Sequence, residues 1–297
     1  MNTAARLTGY AATLVLVFAA AWGAGTTVGR EIAPTALTGG DATAGHGAPH
    51  DHGGAPSPTS LGLASTQAGY TLVPENTTFE IGTTAEFAFR ITGSDGRPVT
   101  AFDVVHDKQL HLVVIRRDIA GFQHLHPTLG SDGVWRTPLT LPGAGVWRAY
   151  ADFTPTGGPP LILGVDLFVP GPFGPFSFPP TRVAEVDGYQ VRLDGALTPG
   201  GPAPIFATIS KNGAPVTDLE PYLGAFGHLV ALREGDMAYL HVHPDAVEPA
   251  PTDRSGPGIA FTADVPSAGT YRLFLDFQHD GAVHTAEFTV AATPEGS

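Results

Sequence analysis

The chain has 297 residues, 42% of them hydrophobic and only 14% charged, with a formal net charge of -13. So acidic a chain, with Lys108 and Lys211 its only lysines, lacks the cationic footprint of a nucleic-acid binder, and that class is excluded. The 38 glycines and 28 prolines point to many turns and linkers, and the absence of cysteine removes disulfides and thiolate metal sites.

In chain order, Arg6 precedes an apolar run from Ala11 to Trp22, so residues 1–30 read as a signal peptide or an N-terminal membrane anchor. Either outcome places the rest outside the cytoplasm, secreted or membrane-anchored, with the membrane as a partner if the segment is uncleaved. Residues 31–68 lack apolar periodicity and read as a flexible linker, in which His46, His50 and His52 form a short His-rich tract. From Tyr70 onward the pattern is strand and turn. Expected strands include His111 to Arg116, Phe122 to His126, Val134 to Thr140, Gly145 to Phe153 and Leu161 to Val169, with turn residues between them. Residues 171–182 form a Pro/Gly/Phe linker whose aromatic rings are expected to pack against both flanking domains. A second set of strands follows, from Tyr189 to Val290. No helix is expected beyond the N-terminal one, and the PYLGAFG stretch before His228 reads as a loop or a single turn.

The chain also repeats itself. Gly96 to Pro127 and Gly213 to Pro244 align at a constant offset of 117 residues, and Leu141 to Phe153 aligns with Val265 to Phe277 at 124. A period of domain size means a duplicated domain. The fold expected is therefore all-β, with two tandem Ig-like antiparallel β-sandwiches, residues 69–170 and 183–292, after the hydrophobic helix and the disordered linker.

Each copy keeps one histidine and, after twelve residues, an H-x-H-P motif: His111, His124 and His126 in the first, His228, His241 and His243 in the second. On a strand the two imidazoles of H-x-H project from one face, about 6.5–7 Å apart. Leu125 and Val242 then point into the sandwich core. With Ile115 opposite His124 and Val113 opposite His126, His111 falls on the same face; a slip of one residue would break the set. Three convergent imidazoles suit Cu(II), Zn(II) or Ni(II), and Asp152 and Asp276 of the repeated D-F element are the natural carboxylates, as ligands or behind a ligand ring. Blue copper needs a thiolate, and Met1 and Met237 are too few for a methionine-lined Cu(I) site. The competing reading is structural, with histidines donating to backbone carbonyls or to the repeated aspartates. His106, which has Leu223 as its counterpart, reads as peripheral. His279 and His284 read as surface residues, although His279 follows Asp276 closely enough to join its site. Arg148 and Arg272 read as solvated rather than paired with Asp103 and Glu220.

In these motifs the chain resembles exported bacterial proteins described as YtkA-like or heavy-metal-associated. HDKQLHLVVIRRDIAGFQHLHP with GVWRAYADF carries the resemblance in the first copy, and PYLGAFGHLVALREGDMAYLHVHP with YRLFLDFQHDGAVHTAEFTV in the second. It covers most of residues 70–290 and implies an extracytoplasmic Ig-like sandwich associated with metal handling, copper included. The first copy has VVHDKQL where the second has PYLGAFG, which leaves open whether the two sites are equivalent. The function expected is non-catalytic metal binding, with one His-rich site per repeat serving to buffer, sense or deliver Cu(II) or Zn(II). The alternative is a structural or interaction module in which the histidines hold the fold. A metal-dependent hydrolase is disfavoured because no repeated glutamate stands near the histidines as a base.

Overall fold

The computed structural model describes residues 61–240, 242–245 and 248–293, without the side chain of His243. All of them fall in one compact unit. The N-terminal apolar segment, the linker histidines and His241 lie outside the described residues. Among the described residues there is no helix.

The first repeat contains β1 (Thr66–Gln67), β2 (Tyr70–Pro74), β3 (Thr84–Thr92), β4 (Leu110–Arg116), β5 (Gln123–Leu125), β6 (Thr128–Leu129), β7 (Trp135–Thr140), β8 (Gly145–Phe153) and β9 (Leu161–Val169). The second contains β10 (Val183–Val186), β11 (Tyr189–Asp194), β12 (Gly201–Lys211), β13 (Ala214–Pro215), β14 (His228–Arg233), β15 (Tyr239–Leu240), β16 (Val242–Pro244), β17 (Gly258–Val265), β18 (Gly269–His279) and β19 (Ala282–Ala292). The two sheets of the first repeat run β1-β2-β3-β7-β6 and β5-β4-β8-β9. Those of the second run β10-β11-β12-β17-β16, with β13 on β12, and β15-β14-β18-β19. The duplicated sequence thus folds into tandem β-sandwiches with the same strand order. Each has its own core, in which alternate residues of the strands interdigitate: Phe87, Phe89 and Trp135 in the first, Phe261, Phe277 and Phe288 in the second.

The H-x-H-P segment is not the single strand expected. β5 pairs with β4, but after Leu125 the chain crosses to the other sheet, where β6 pairs with β7. In the second repeat β15 pairs with β14 and β16 with β17. Pro127 cannot donate an N–H to the ladder that β5 would otherwise continue, so the change of sheet falls at that point. His126 therefore sits at a corner.

The outer faces of the sheets containing β4 and β14 pack against each other. Between them lies a third core, made of Val113, Ile115, Ile119, Tyr150 and Ile162 from one repeat and Val230, Leu232, Met237, Tyr239 and Phe274 from the other. Phe122 stacks on Phe274 with ring centroids 4.2 Å apart, and the Tyr150 hydroxyl donates to the Met237 carbonyl at 2.6 Å. β4 is consequently buried along its whole length.

Two connecting segments depart from expectation or extend it. Residues 61–68 are part of the packed structure and not free linker. The Leu61 carbonyl accepts from the Tyr239 amide at 2.9 Å, and the Gly62 carbonyl accepts from Arg148 Nη2 at 2.7 Å. Residues 171–182 do touch both repeats: Phe173 and Phe176 lie over Arg116, and Phe178 lies 3.8 Å from the Arg272 guanidinium. Arg148 and Arg272 are buried rather than solvated, at 6% and 3% exposure. Arg148 pairs with Asp166 and Arg272 with Glu287, because both face the covered side of their sheets.

Candidate metal centre

Each repeat builds the same small device in front of its first histidine. Val105 and Lys108 bridge across a tight turn whose central residues, His106 and Asp107, have φ of 51° and 61°. Tyr222 and Ala225 do the same around Leu223 and Gly224, at 54° and 72°. Positive φ at both central positions is the type I′ pattern. His111 Nε2 lies 3.0 Å from the Val105 carbonyl, and His228 Nε2 lies 3.1 Å from the Tyr222 carbonyl and 2.9 Å from that of Leu223. A carbonyl can only accept, so in both rings Nε2 carries the hydrogen and Nδ1 is left with its lone pair.

His124 is committed in the opposite sense. Its Nδ1 lies 2.8 Å from Asp276 Oδ2, whose partner oxygen accepts from Thr285 Oγ1 at 2.6 Å. Asp276 is 3% exposed and comes from the second repeat. Since the carboxylate accepts, His124 Nδ1 donates, and in the neutral ring Nε2 is bare. That bare nitrogen stands 3.2 Å from the equally bare His111 Nδ1. Two lone pairs facing each other at this distance repel unless a proton or a metal ion lies between them.

His126 completes the group. Its Nε2 is buried without a hydrogen-bond partner, a costly state for a polar atom. One ring nitrogen from each of His111, His124 and His126 lies within 4.8 Å of the others, the only such trio of potential ligands among the described residues. The ring centroids are 5.4, 5.1 and 4.9 Å apart. Imidazoles bound tetrahedrally at about 2.0–2.1 Å would have their nitrogens about 3.3 Å and their centroids about 5.2 Å apart. The observed centroid spacings match, as does the 3.2 Å between His111 Nδ1 and His124 Nε2.

The electrostatics keep His111, His126 and His228 neutral. Burial lowers His111 to about 3, against the Val105 carbonyl, which raises it. Burial and then His124 lower His126 to about 4, and burial and then His106 lower His228 to about 4. Neutral imidazole is the form that ligates. Asp152 lies opposite His111 in the β4–β8 register, its carboxyl pushed up to about 6 by burial, with His124 opposing. It lines a cavity of about 350 Å³ together with His106, His111, His124 and His228.

These shifts make stability acid-sensitive. Between pH 6.5 and about 4, His111, His126 and His228 stay neutral in the folded chain but protonate in the unfolded one. The unfolded state then binds more protons, so stability falls as pH drops through that window. Asp152, raised to about 6, acts in the opposite sense, as one group against three. Thermal melts of metal-free protein are expected to show a lower Tm near pH 5 than near pH 7. An unchanged Tm would mean that the rings are not held neutral by burial.

A family profile described as "Domain of unknown function (DUF8832)" matches residues 65–162 and 184–294, well over half of the chain and both repeats. The chain belongs to that family. Among curated proteins nothing matches. Solved structures with partial likeness include a DUF4426 family protein of Pseudomonas aeruginosa, 12% identical, with 38% of this chain and 94% of that one covered and a TM-score of 0.29. Salmonella alpha-2-macroglobulin reacted with methylamine is 15% identical, with 80% of this chain and 15% of that one covered and a TM-score of 0.27. The Yersinia pseudotuberculosis adhesin InvE is 13% identical, with 78% and 60% covered and a TM-score of 0.23. Likenesses of this strength carry nothing about the site.

The DUF8832 chain departs from the sequence-based site assignments in four places. Val113, not Ile115, faces His124, so the register is two residues from that expected. A slip of two preserves strand parity, which is why His111 and His124 still share a face, while His126 joins them from the corner. Asp276 serves His124 of the other repeat rather than a separate site of its own. His106 is not peripheral, since its ring lies 5.1 Å from that of His228 and 6.2 Å from that of His111. His279 and His284 are buried, at 7% and 9% exposure, and belong to a different network. His279 meets the Tyr189 hydroxyl at 2.6 Å and Asp218 at 3.0 Å, while His284 meets Asp187 at 2.8 Å. With both His279 nitrogens taken by protein groups, this network serves the end of the second core. His241 and the side chain of His243 lie outside the described residues. One signal for the shared face was present in the sequence: LHLVVIR is apolar at nearly every position instead of alternating, the pattern of a strand covered on both sides.

Proposed function

We propose that this protein is an exported, non-catalytic metal-binding protein that holds Cu(II) or Zn(II) at His111, His124 and His126. The observation that carries the reading is the 3.2 Å approach of His111 Nδ1 and His124 Nε2, each ring with its far nitrogen on an oxygen acceptor. A histidine ligand backed by a carboxylate or carbonyl is the usual arrangement around zinc and copper. The resemblance to YtkA-like, heavy-metal-associated proteins and the apolar N-terminal segment support an extracytoplasmic role in buffering, sensing or delivery. A nitrogen-rich set without thiolates suits borderline divalent ions.

The test is calorimetric titration of the full chain carrying His46→Ala, His50→Ala and His52→Ala, which removes the linker histidines as competitors. A site of micromolar or tighter affinity is expected for Cu(II) and Zn(II), abolished by His124→Ala with His126→Ala. The structural reading retains one specific support: His111 and His228 tie the repeated turn through matching hydrogen bonds to its carbonyls. It predicts that the same substitutions lower Tm while the titrations stay flat throughout.

A further inference from the structure

Resting on that reading, we propose that the metal site is closed by His228 of the second repeat, giving four imidazoles contributed across the interface. His228 is the counterpart of His111, and the same hydrogen-bond logic leaves its Nδ1 bare. Its ring centroid lies 6.3 Å from that of His111 and 6.3 Å from that of His124. Rings sharing one tetrahedral ion stand about 5.2 Å apart, so with respect to these two rings His228 is roughly 1 Å too far. Its ring is stacked at 26° to that of His111 and lines the same cavity. It is the first residue of β14, opposite Asp276 in the β14–β18 register.

The consequence is coupling between the repeats. Asp276 already reaches from the second repeat to orient His124, and a fourth ligand from the same repeat makes the bound ion a staple between the two sandwiches. Because structural zinc sites are closed four-ligand sets, the cage fits a bound, non-reactive ion better than one with an open water position.

The test counts ligands by X-ray absorption of the full chain, with the linker histidines replaced, loaded with one equivalent of Zn(II). Two variants are used, because His228→Ala also removes the hydrogen bond to the turn. In His228→Gln the amide keeps a donor for the Tyr222 and Leu223 carbonyls and removes the ring nitrogen. Four imidazoles in the parent, three in His228→Gln and an affinity loss of tenfold or more would support the inference. Three imidazoles and equal affinity in parent and His228→Gln would overturn it while leaving the trio of the first repeat standing. Absence of any zinc site in the parent would remove both readings together.

Discussion

Replacing Asp276 with asparagine is expected to weaken Zn(II) and Cu(II) binding by about 10–100-fold, the range typical for a hydrogen-bonding partner behind a ligand histidine. Asparagine keeps the shape and can still accept from His124 Nδ1, so the tautomer is preserved. What it removes is the negative charge that makes the imidazole a stronger donor to a cation. With the amide oxygen kept toward His124, the amide NH2 faces Thr285 Oγ1, whose hydroxyl can turn to accept from it, which limits the cost to folding. Competition titration against a chelator measures the affinity, and a melt of the metal-free variant measures the fold. Unchanged affinity with lowered Tm would make Asp276 a brace between the repeats and nothing more. Because Asp276 and His124 belong to different repeats, an effect on binding would also tie the site to their docking.

Phe274→Ala is expected to give the largest loss of stability among single changes at the interface. Phe274 is fully buried, stacks on Phe122 and sits in the core shared by the two sandwiches. Truncating a buried phenylalanine costs about 3–5 kcal/mol, through lost burial and the cavity left behind. Each sandwich retains its own core, however, with Phe87 and Trp135 in one and Phe261 and Phe288 in the other. The loss therefore falls on docking. Calorimetry is expected to change from one cooperative transition to two, the first at lower temperature. A single transition merely shifted downward would show that the repeats do not fold independently of their contact.

Much of the architecture was readable along the chain. The constant offset between the copies announces a duplication, and the period-two alternation of Thr84–Thr92 sets Phe87 and Phe89 on one face, the face that packs into the first core. Strand bounds at Gly145–Phe153 and Leu161–Val169 coincide with the expected ones, since glycine and proline punctuate both. The break after Leu125 was harder to read, because the switch between sheets depends on which ladder has room for the chain. Arg148 and Arg272 were misread for a related reason: as charged groups on an outer sheet face they look solvated until that face is covered.

The sequence by itself determined the all-β duplicated fold and the strand parity that sets His111 and His124 on one face. Strand periodicity and turn chemistry are local properties, written in residues a few positions apart. Only the tertiary structure decided that the two outer faces meet, that Asp276 crosses the interface to His124, and that His106 and His228 join the same cavity. Those pairings link residues more than a hundred positions apart. They follow from the apolar area that docking removes from water, a non-local sum that no short window of sequence contains.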